Sequence, residues 1–186
     1  MSAELDYPTL NTPRLKLSLI GYDSAATLAA LADDPLIAAF TVNLPSPYTL
    51  ADAQKFIGTM HVSFEERRAL AFGVYRKADN ALMGVISLAL ISSHCTGHLA
   101  YWLGADYRGQ GYMSEAAVEI MQYGFKQLKL HRIQSRCLKR NLPSARVLRK
   151  AGLQDEGLMV ESFLKEGVFH DQLLFGVLSR AWNFTR

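Results

Sequence analysis

A strand-like aromatic run, His98-Leu99-Ala100-Tyr101-Trp102-Leu103, is followed closely by the decapeptide Tyr107-Arg108-Gly109-Gln110-Gly111-Tyr112-Met113-Ser114-Glu115-Ala116. This glycine-punctuated turn limits the folds open to the chain, because it asks for a strand end, a sharp turn and a helix N-terminus in one place. After it, Ala117, Ile120, Met121, Gly124, Phe125 and Leu128 recur at i, i+3, i+4, i+7, i+8 and i+11, one apolar helix face. His131 to Leu138 then reads as a strand, so the segment predicts a β-α-β unit with parallel strands. The first turn of its helix offers unpaired amide donors and the positive end of the helix dipole, a setting suited to phosphate or pyrophosphate.

Two phosphate-loop patterns fail on these residues. The dinucleotide fingerprint beginning at Gly109 and Gly111 lacks its third glycine, where Ser114 stands. The Walker pattern from Gly104 to Gly109 meets Gln110 and Gly111 where Lys and Ser or Thr are needed. What fits is Arg-x-x-Gly-x-(small), from Arg108 through Gly111 to Met113. The flanking residues fit with it: Tyr101-Trp102-Leu103, Gly111-Tyr112-Met113-Ser114-Glu115-Ala116, Asn141-Leu142-Pro143-Ser144, Lys150-Ala151-Gly152-Leu153, Glu156-Gly157, Gly167-Val168-Phe169-His170-Asp171 and Thr12-Pro13-Arg14-Leu15. Together they resemble the GNAT superfamily of acetyl-CoA-dependent N-acetyltransferases, and within it the RimJ/RimL branch that acetylates the N-termini of ribosomal proteins. The resemblance spans nearly the whole chain.

The resemblance implies acetyl-CoA as co-substrate and no metal. It places the cofactor against Tyr101, Trp102 and Leu103 on the strand, against Arg108, Gly109, Gln110, Gly111, Tyr112, Met113 and Ser114 in the loop, and against Asn141, Ser144 and Arg149 beyond. Met113 stands where the family usually has Gly or Ala, so its side chain is expected either to turn aside or to narrow the pocket. Ser144 is implied as the proton donor to the leaving thiolate and Asn141 as a holder of the pantetheine arm or a water; a plain turn and helix cap is the competing reading of both. For the base, Glu161 is taken as the candidate on the last hairpin, two residues from Phe163 and on its face if the strand continues. His98, His170 or a water are alternatives. A backbone N–H near Leu103 is expected to stabilise the oxyanion, and Glu115 is read as structural, favoring the helix dipole.

Along the chain, Leu15, Leu17 and Leu19 alternate as a strand. Asp23-Ser24 opens a helix over 25–32 that Asp33-Asp34-Pro35 stops, and Thr49 caps a second helix reaching about Arg68, with Phe56, Met60 and Phe64 as a core stripe. Strands at 71–76 and 81–90 form a hairpin, a third runs from Gly97 to Leu103, a short helix lies near 144–151, and 154–160 pairs with 168–178. The expected fold is α/β: the GNAT (acyl-CoA N-acyltransferase) fold, a mixed twisted sheet of about six to seven strands flanked by helices, in one domain over 1–186. In that fold the strands on either side of the loop helix splay apart.

Composition narrows the function. At 186 residues and 49% hydrophobic, the chain supports one packed domain. The longest apolar run, Ala81 to Ile91, is interrupted by Gly84 and Ser87 and is shorter than the ~20 residues a membrane helix needs. Glu4 and Asp6 do not read as a signal peptide, so a cytoplasmic location is expected. Cys95 and Cys137 are read as small hydrophobes in or near strands, and the five histidines show no metal-ligand spacing. Net charge is +3, yet no acid occurs between Glu119 and Asp155, a stretch holding nine Lys and Arg. That field reads either as a holder of coenzyme A phosphates or RNA-rich surfaces, or as a solvated face. No direct DNA binding is expected, and a monomer or a homodimer are both compatible. The acceptor is expected to be a protein N-terminal α-amine, possible ribosomal-protein Ser or Ala termini included, in a pocket enclosed by Phe40 to Pro47 and Ser162 to Val168. A small amine as acceptor and a non-catalytic acetyl-CoA-binding module are the alternatives.

Overall fold

The structure is a computed structural model that describes residues 7–41 and 44–183. One eight-stranded sheet organises it: β1 (Leu10–Asn11), β2 (Leu15–Ser18), β3 (Ala69–Arg76), β4 (Leu82–Ile91), β5 (Thr96–Leu103), β6 (Arg132–Leu138), β7 (Gln154–Lys165) and β8 (Val168–Leu178), in the order β1-β2-β3-β4-β5-β6-β8-β7. Every neighbouring pair is antiparallel except β5 and β6. The expected six to seven strands become eight because the two-residue β1 adds an edge that no sequence pattern marks.

Helices α1 (Ala25–Ala32), α2 (Pro35–Phe40) and α3 (Leu50–Glu65) precede β3; α4 (Tyr112–Lys126) joins β5 to β6, and α5 (Leu142–Ala151) joins β6 to β7. The period-two pattern of β2 puts Leu15 and Leu17 wholly inside. The apolar face of α4 buries Ala116, Ala117, Ile120, Met121 and Phe125 in the larger core with Leu88, Leu99, Ile133 and Leu148. A smaller core on the opposite side packs Leu28, Ala53 and Ile57 against Tyr75 and Val85. Burial of each such large side chain contributes about 1.5–3 kcal/mol.

Several expectations are corrected. Pro35 does not merely stop α1. It stands at N1 of α2, where its missing N–H costs nothing, and the Asp34 carboxylate accepts from Leu36 N at 2.7 Å as the cap. Thr49 does cap α3, in a reciprocal box with Asp52, but that helix ends at Glu65 rather than near Arg68. Its fully buried apolar positions are Ala53 and Ile57, while Phe56 and Phe64 are half-buried flanks. Cys137 is buried as expected; Cys95 is exposed in a left-handed turn. β7 runs on to Lys165, past the expected end at Val160. The reading of Glu4 and Asp6 lies outside the described residues, as do Val42 and Asn43 of the expected acceptor wall.

Candidate functional site

The parallel ladder between β5 and β6 holds for three pairs, Thr96 with Arg132, Gly97 with Ile133 and His98 with Gln134, and then stops. Beyond it the Ser135 hydroxyl donates to Leu99 O at 2.8 Å, and the two strands part. Gly104 N donates to Met83 O on the β4 side, so β5 amides alternate between β4 and the opening. The amides of Tyr101 and Leu103 therefore face the opening. This is the expected splay, with β5 amides on its wall that β6 no longer pairs.

At the top of the opening lies the glycine loop. Gly109 and Gly111 have φ of +76° and +82°, which glycine adopts without strain. Gly111 is the N-cap of α4 and has no side chain to offer the first-turn amides. By contrast α2, α3 and α5 are capped by Asp34, Thr49 and Asn141, while α1, expected to be capped from Asp23-Ser24, instead continues a short 3-10 turn with no side-chain cap bond from Ser24. The α4 N-terminus thus keeps its donors and its dipole for an external anion. Met113 does not narrow this site, because it turns inward and is 5% exposed within the core. Tyr112 is likewise buried, under the Arg14 guanidinium at 4.5 Å from its ring centre.

The loop is anchored on two sides. Thr12 Oγ1 donates to Glu115 Oε1 at 2.5 Å, Arg14 N to the same oxygen at 3.0 Å, and Arg14 Nε to Glu115 Oε2 at 2.7 Å, while Arg14 Nη1 reaches Gln110 O at 3.1 Å. Burial raises the Glu115 carboxyl, but the three hydrogen bonds it accepts from Thr12 and Arg14, with the Arg14 charge, outweigh it and hold it below its ordinary value. On the other side Arg108 donates to Leu103 O at 3.0 Å and pairs with Asp34 at 2.6 Å. The Arg108 guanidinium is therefore engaged by the protein. Sequence reasoning missed Asp34 as its partner, although an Asp before a helix-opening Pro was the available signal.

Three of the expected residues converge on the α5 side of the opening. The Tyr101 hydroxyl lies 3.0 Å from both the carbonyl oxygen and the Oγ of Ser144. Asn141 Oδ1 accepts from Ser144 N at 3.2 Å, so the helix-cap reading of Asn141 is realised, and Cys137 lies below with its Sγ 4.0 Å from Asn141 O. Burial pushes the Tyr101 hydroxyl far above the ordinary tyrosine value, against the opposing effect of Ser144, so it stays protonated. Burial also raises the Cys137 thiol.

The other residues lie elsewhere. Alternation along β5 turns Trp102 to the opposite face, against the smaller core. Arg149 is paired with Asp155 at 2.7 Å. Glu161 has φ +49° inside an irregular stretch of β7 between Met159 and Phe163, and its N–H donates to Asp171 at 3.0 Å. The strand does not continue regularly there, so Glu161 does not inherit the face of Phe163. His98 is half-buried on the face shared with Trp102; burial, then the charge of Arg136, lower its pKa. His170 lines a recess of about 210 Å³ with Ala39, Arg140, Lys165, Glu166 and Val168. Lys165 closes that side by donating to the Ala38 and Thr41 carbonyls at the end of α2. The basic stretch is partly neutralised from later in the chain, through Arg132 with Glu156, Arg149 with Asp155 and Lys139 with Asp171. Among the described residues no cluster of His, Cys, Asp or Glu is arranged for a metal, and no helix is long and apolar enough to cross a membrane.

Comparison with known proteins agrees with this architecture. Residues 14–154 match the acetyltransferase (GNAT) domain family. YjcK of Bacillus subtilis (strain 168), a probable N-acetyltransferase, is 34% identical over 71% of this chain and 74% of its own length. The [ribosomal protein uS5]-alanine N-acetyltransferase of Escherichia coli (strain K12) is 24% identical over 70% of this chain and 68% of its own. RimL, the ribosomal L7/L12 alpha-N-protein acetyltransferase solved in complex with coenzyme A, superposes with a TM-score of 0.84 over 92% of this chain and 98% of its own at 19% identity. The parted parallel strands, the uncapped helix behind a glycine loop and the matched domain together show that the chain belongs to the GNAT acetyltransferase family, as a relative of the ribosomal-protein acetyltransferases.

Proposed function

We propose that the protein transfers an acetyl group from acetyl-CoA to a protein N-terminal α-amine by direct attack on the thioester. The observation that carries this reading is the Tyr101–Ser144 pair beside the opening between β5 and β6, below an α4 N-terminus with no side-chain cap. The loop amides from Gly109 to Ser114 would hold the pyrophosphate and the β5 amides of Tyr101 and Leu103 the pantetheine arm and the carbonyl oxygen. As the amine nitrogen bonds the carbonyl carbon and the C–S bond breaks, Ser144 gives its proton to the departing sulfur; Tyr101, which stays protonated, steadies the Ser144 oxygen by a hydrogen bond until the proton released by the amine returns to it through water. The free Asn141 amide hydrogens orient the arm or a water.

The amine loses a proton to His98, which its surroundings keep neutral, or through a water; Glu161 stands at the hairpin as the further candidate. An α-amine has an ordinary pKa of about 8, against about 10.4 for Lys, so a mild base suffices. Kinship with uS5-alanine and L7/L12 N-terminal acetyltransferases supports a ribosomal protein as acceptor and a cytoplasmic setting. The experiment is free-thiol release from acetyl-CoA across N-terminal peptides and small amines, with calorimetry of acetyl-CoA alone. Turnover with small amines only would remove the peptide acceptor, and binding without any thiol release would leave a coenzyme A-binding protein.

A further inference from the structure

Away from the helices, one sheet face stays open beside the strand opening. Its rows can be read from the register: Ala89, His98, Gln134 and Gly176 in one, Ser87 and Ala100 in the next, then Arg136, Leu174 and Gly157 across the opening. Ala89, Ala100 and Gly157 are exposed and small, so they form a low floor from which Arg136 rises. Two residues earlier on the same face, Gln134 is neutral, and Arg132 is neutralised by Glu156. Arg136 is exposed and has no carboxylate partner among the described residues, while its charge is felt by His98 across the opening. The smaller core covers this face only as far as Val85 and Trp102. An acceptor whose amine enters the opening must therefore cross Arg136.

We propose that Arg136 reads the acceptor, binding a carboxylate within the first few residues of the chain to be acetylated, so that acidic N-terminal segments are the preferred substrates. The inference rests on the N-terminal acetyltransferase reading above. An arginine fork meets a carboxylate in two parallel hydrogen bonds, which gives register as well as attraction. The low floor admits an extended peptide, and the unpaired guanidinium fixes where its acidic side chain must fall.

The test compares peptides that begin Ser-Glu, Ser-Gln and Ser-Lys and are otherwise identical, by thiol release with acetyl-CoA. The wild-type protein should favour Glu over Gln by about tenfold in kcat/KM, mostly through KM. Arg136→Gln should bring that ratio near one, Arg136→Lys should restore part of it, and Arg136→Glu should turn the preference to Lys. An equal Glu and Gln rate in the wild type, or a preference that survives Arg136→Gln, overturns the proposal. β-Alanine and its amide run beside the peptides. If only these small amines react, the N-terminal reading fails and the acid-to-amide ratio judges Arg136 in its place. If nothing turns over, binding of the Glu and Gln peptides to protein loaded with coenzyme A decides, equal affinities overturning it.

Discussion

The hydroxyls of Tyr101 and Ser144 lie 3.0 Å apart, one from β5 and the other from the first turn of α5, across the strand opening. A serine alone is a poor acid at neutral pH, but a hydrogen bond from a protonated, buried tyrosine stabilises the oxygen it leaves when it gives up its proton. Ser144→Ala should lower kcat by about 100-fold, and Tyr101→Phe by about tenfold, each exceeding its effect on acetyl-CoA affinity. Steady-state thiol release beside acetyl-CoA titration measures both. Wild-type kcat in Ser144→Ala would exclude Ser144 as the proton donor.

Gly111 combines a φ of +82° with a place at the unfilled cap of α4. A Cβ there meets only Arg14 Nη2, at an ordinary 3.5 Å, so crowding by the protein is slight and the penalty comes from backbone strain and from the ligand side. Gly111→Val should cost roughly 1–2 kcal/mol of stability and abolish measurable acetyl-CoA binding. Gly167→Ala, at φ +79° with nothing nearby and outside the glycine loop, is the control for strain alone. Thermal melts and calorimetry separate the two effects, and an unchanged acetyl-CoA affinity in Gly111→Val would remove the loop from the binding site.

What the sequence disclosed and what it hid follow from the range of the interactions. The β2 alternation, the α4 face and the glycine loop are local patterns, and each emerges where expected. Asn141 and Ser144 were legible through a motif of neighbours. The partner of Ser144 was not, since Tyr101 is 43 residues away and meets it only through the sheet. The Glu115 anchors Thr12 and Arg14 lie 103 and 101 residues away, so the sequence showed a motif near the start without its purpose. The face argument for Glu161 failed for another reason: it needs an uninterrupted strand, and β7 shifts register just there.

Glu115 makes the fold acid-sensitive in a defined window. Its folded pKa is lowered, with hydrogen bonds from Thr12 and Arg14 overriding the burial that raises it. The contribution is therefore fully present above the ordinary glutamate value of 4.5 and is lost as pH falls through the lower folded value. Glu115→Gln should cost about 1 kcal/mol at neutral pH, the Arg14 partner being half exposed, and the gap from wild type should shrink with acidification below 4.5. Denaturant unfolding of both proteins at several pH values tests this. A gap that stays constant into acid would mean the carboxylate charge contributes nothing.

His98 offers a separate reading of the acceptor face, through its titration. Burial first, and the Arg136 charge second, place its pKa below the ordinary 6.5. A depressed histidine binds fewer protons folded than unfolded, so its environment costs stability as pH falls below 6.5. If His98 takes the proton of the amine, kcat/KM must fall on the acid side as this neutral ring becomes charged. Arg136→Gln removes one of the two depressing causes. The His98 resonance should then titrate at higher pH, and the acid limb of kcat/KM should move the same way. A resonance that shifts while the limb stays would assign the base to Glu161, His170 or water. A resonance that does not shift would show that burial alone sets His98, with Arg136 too well screened to act on it.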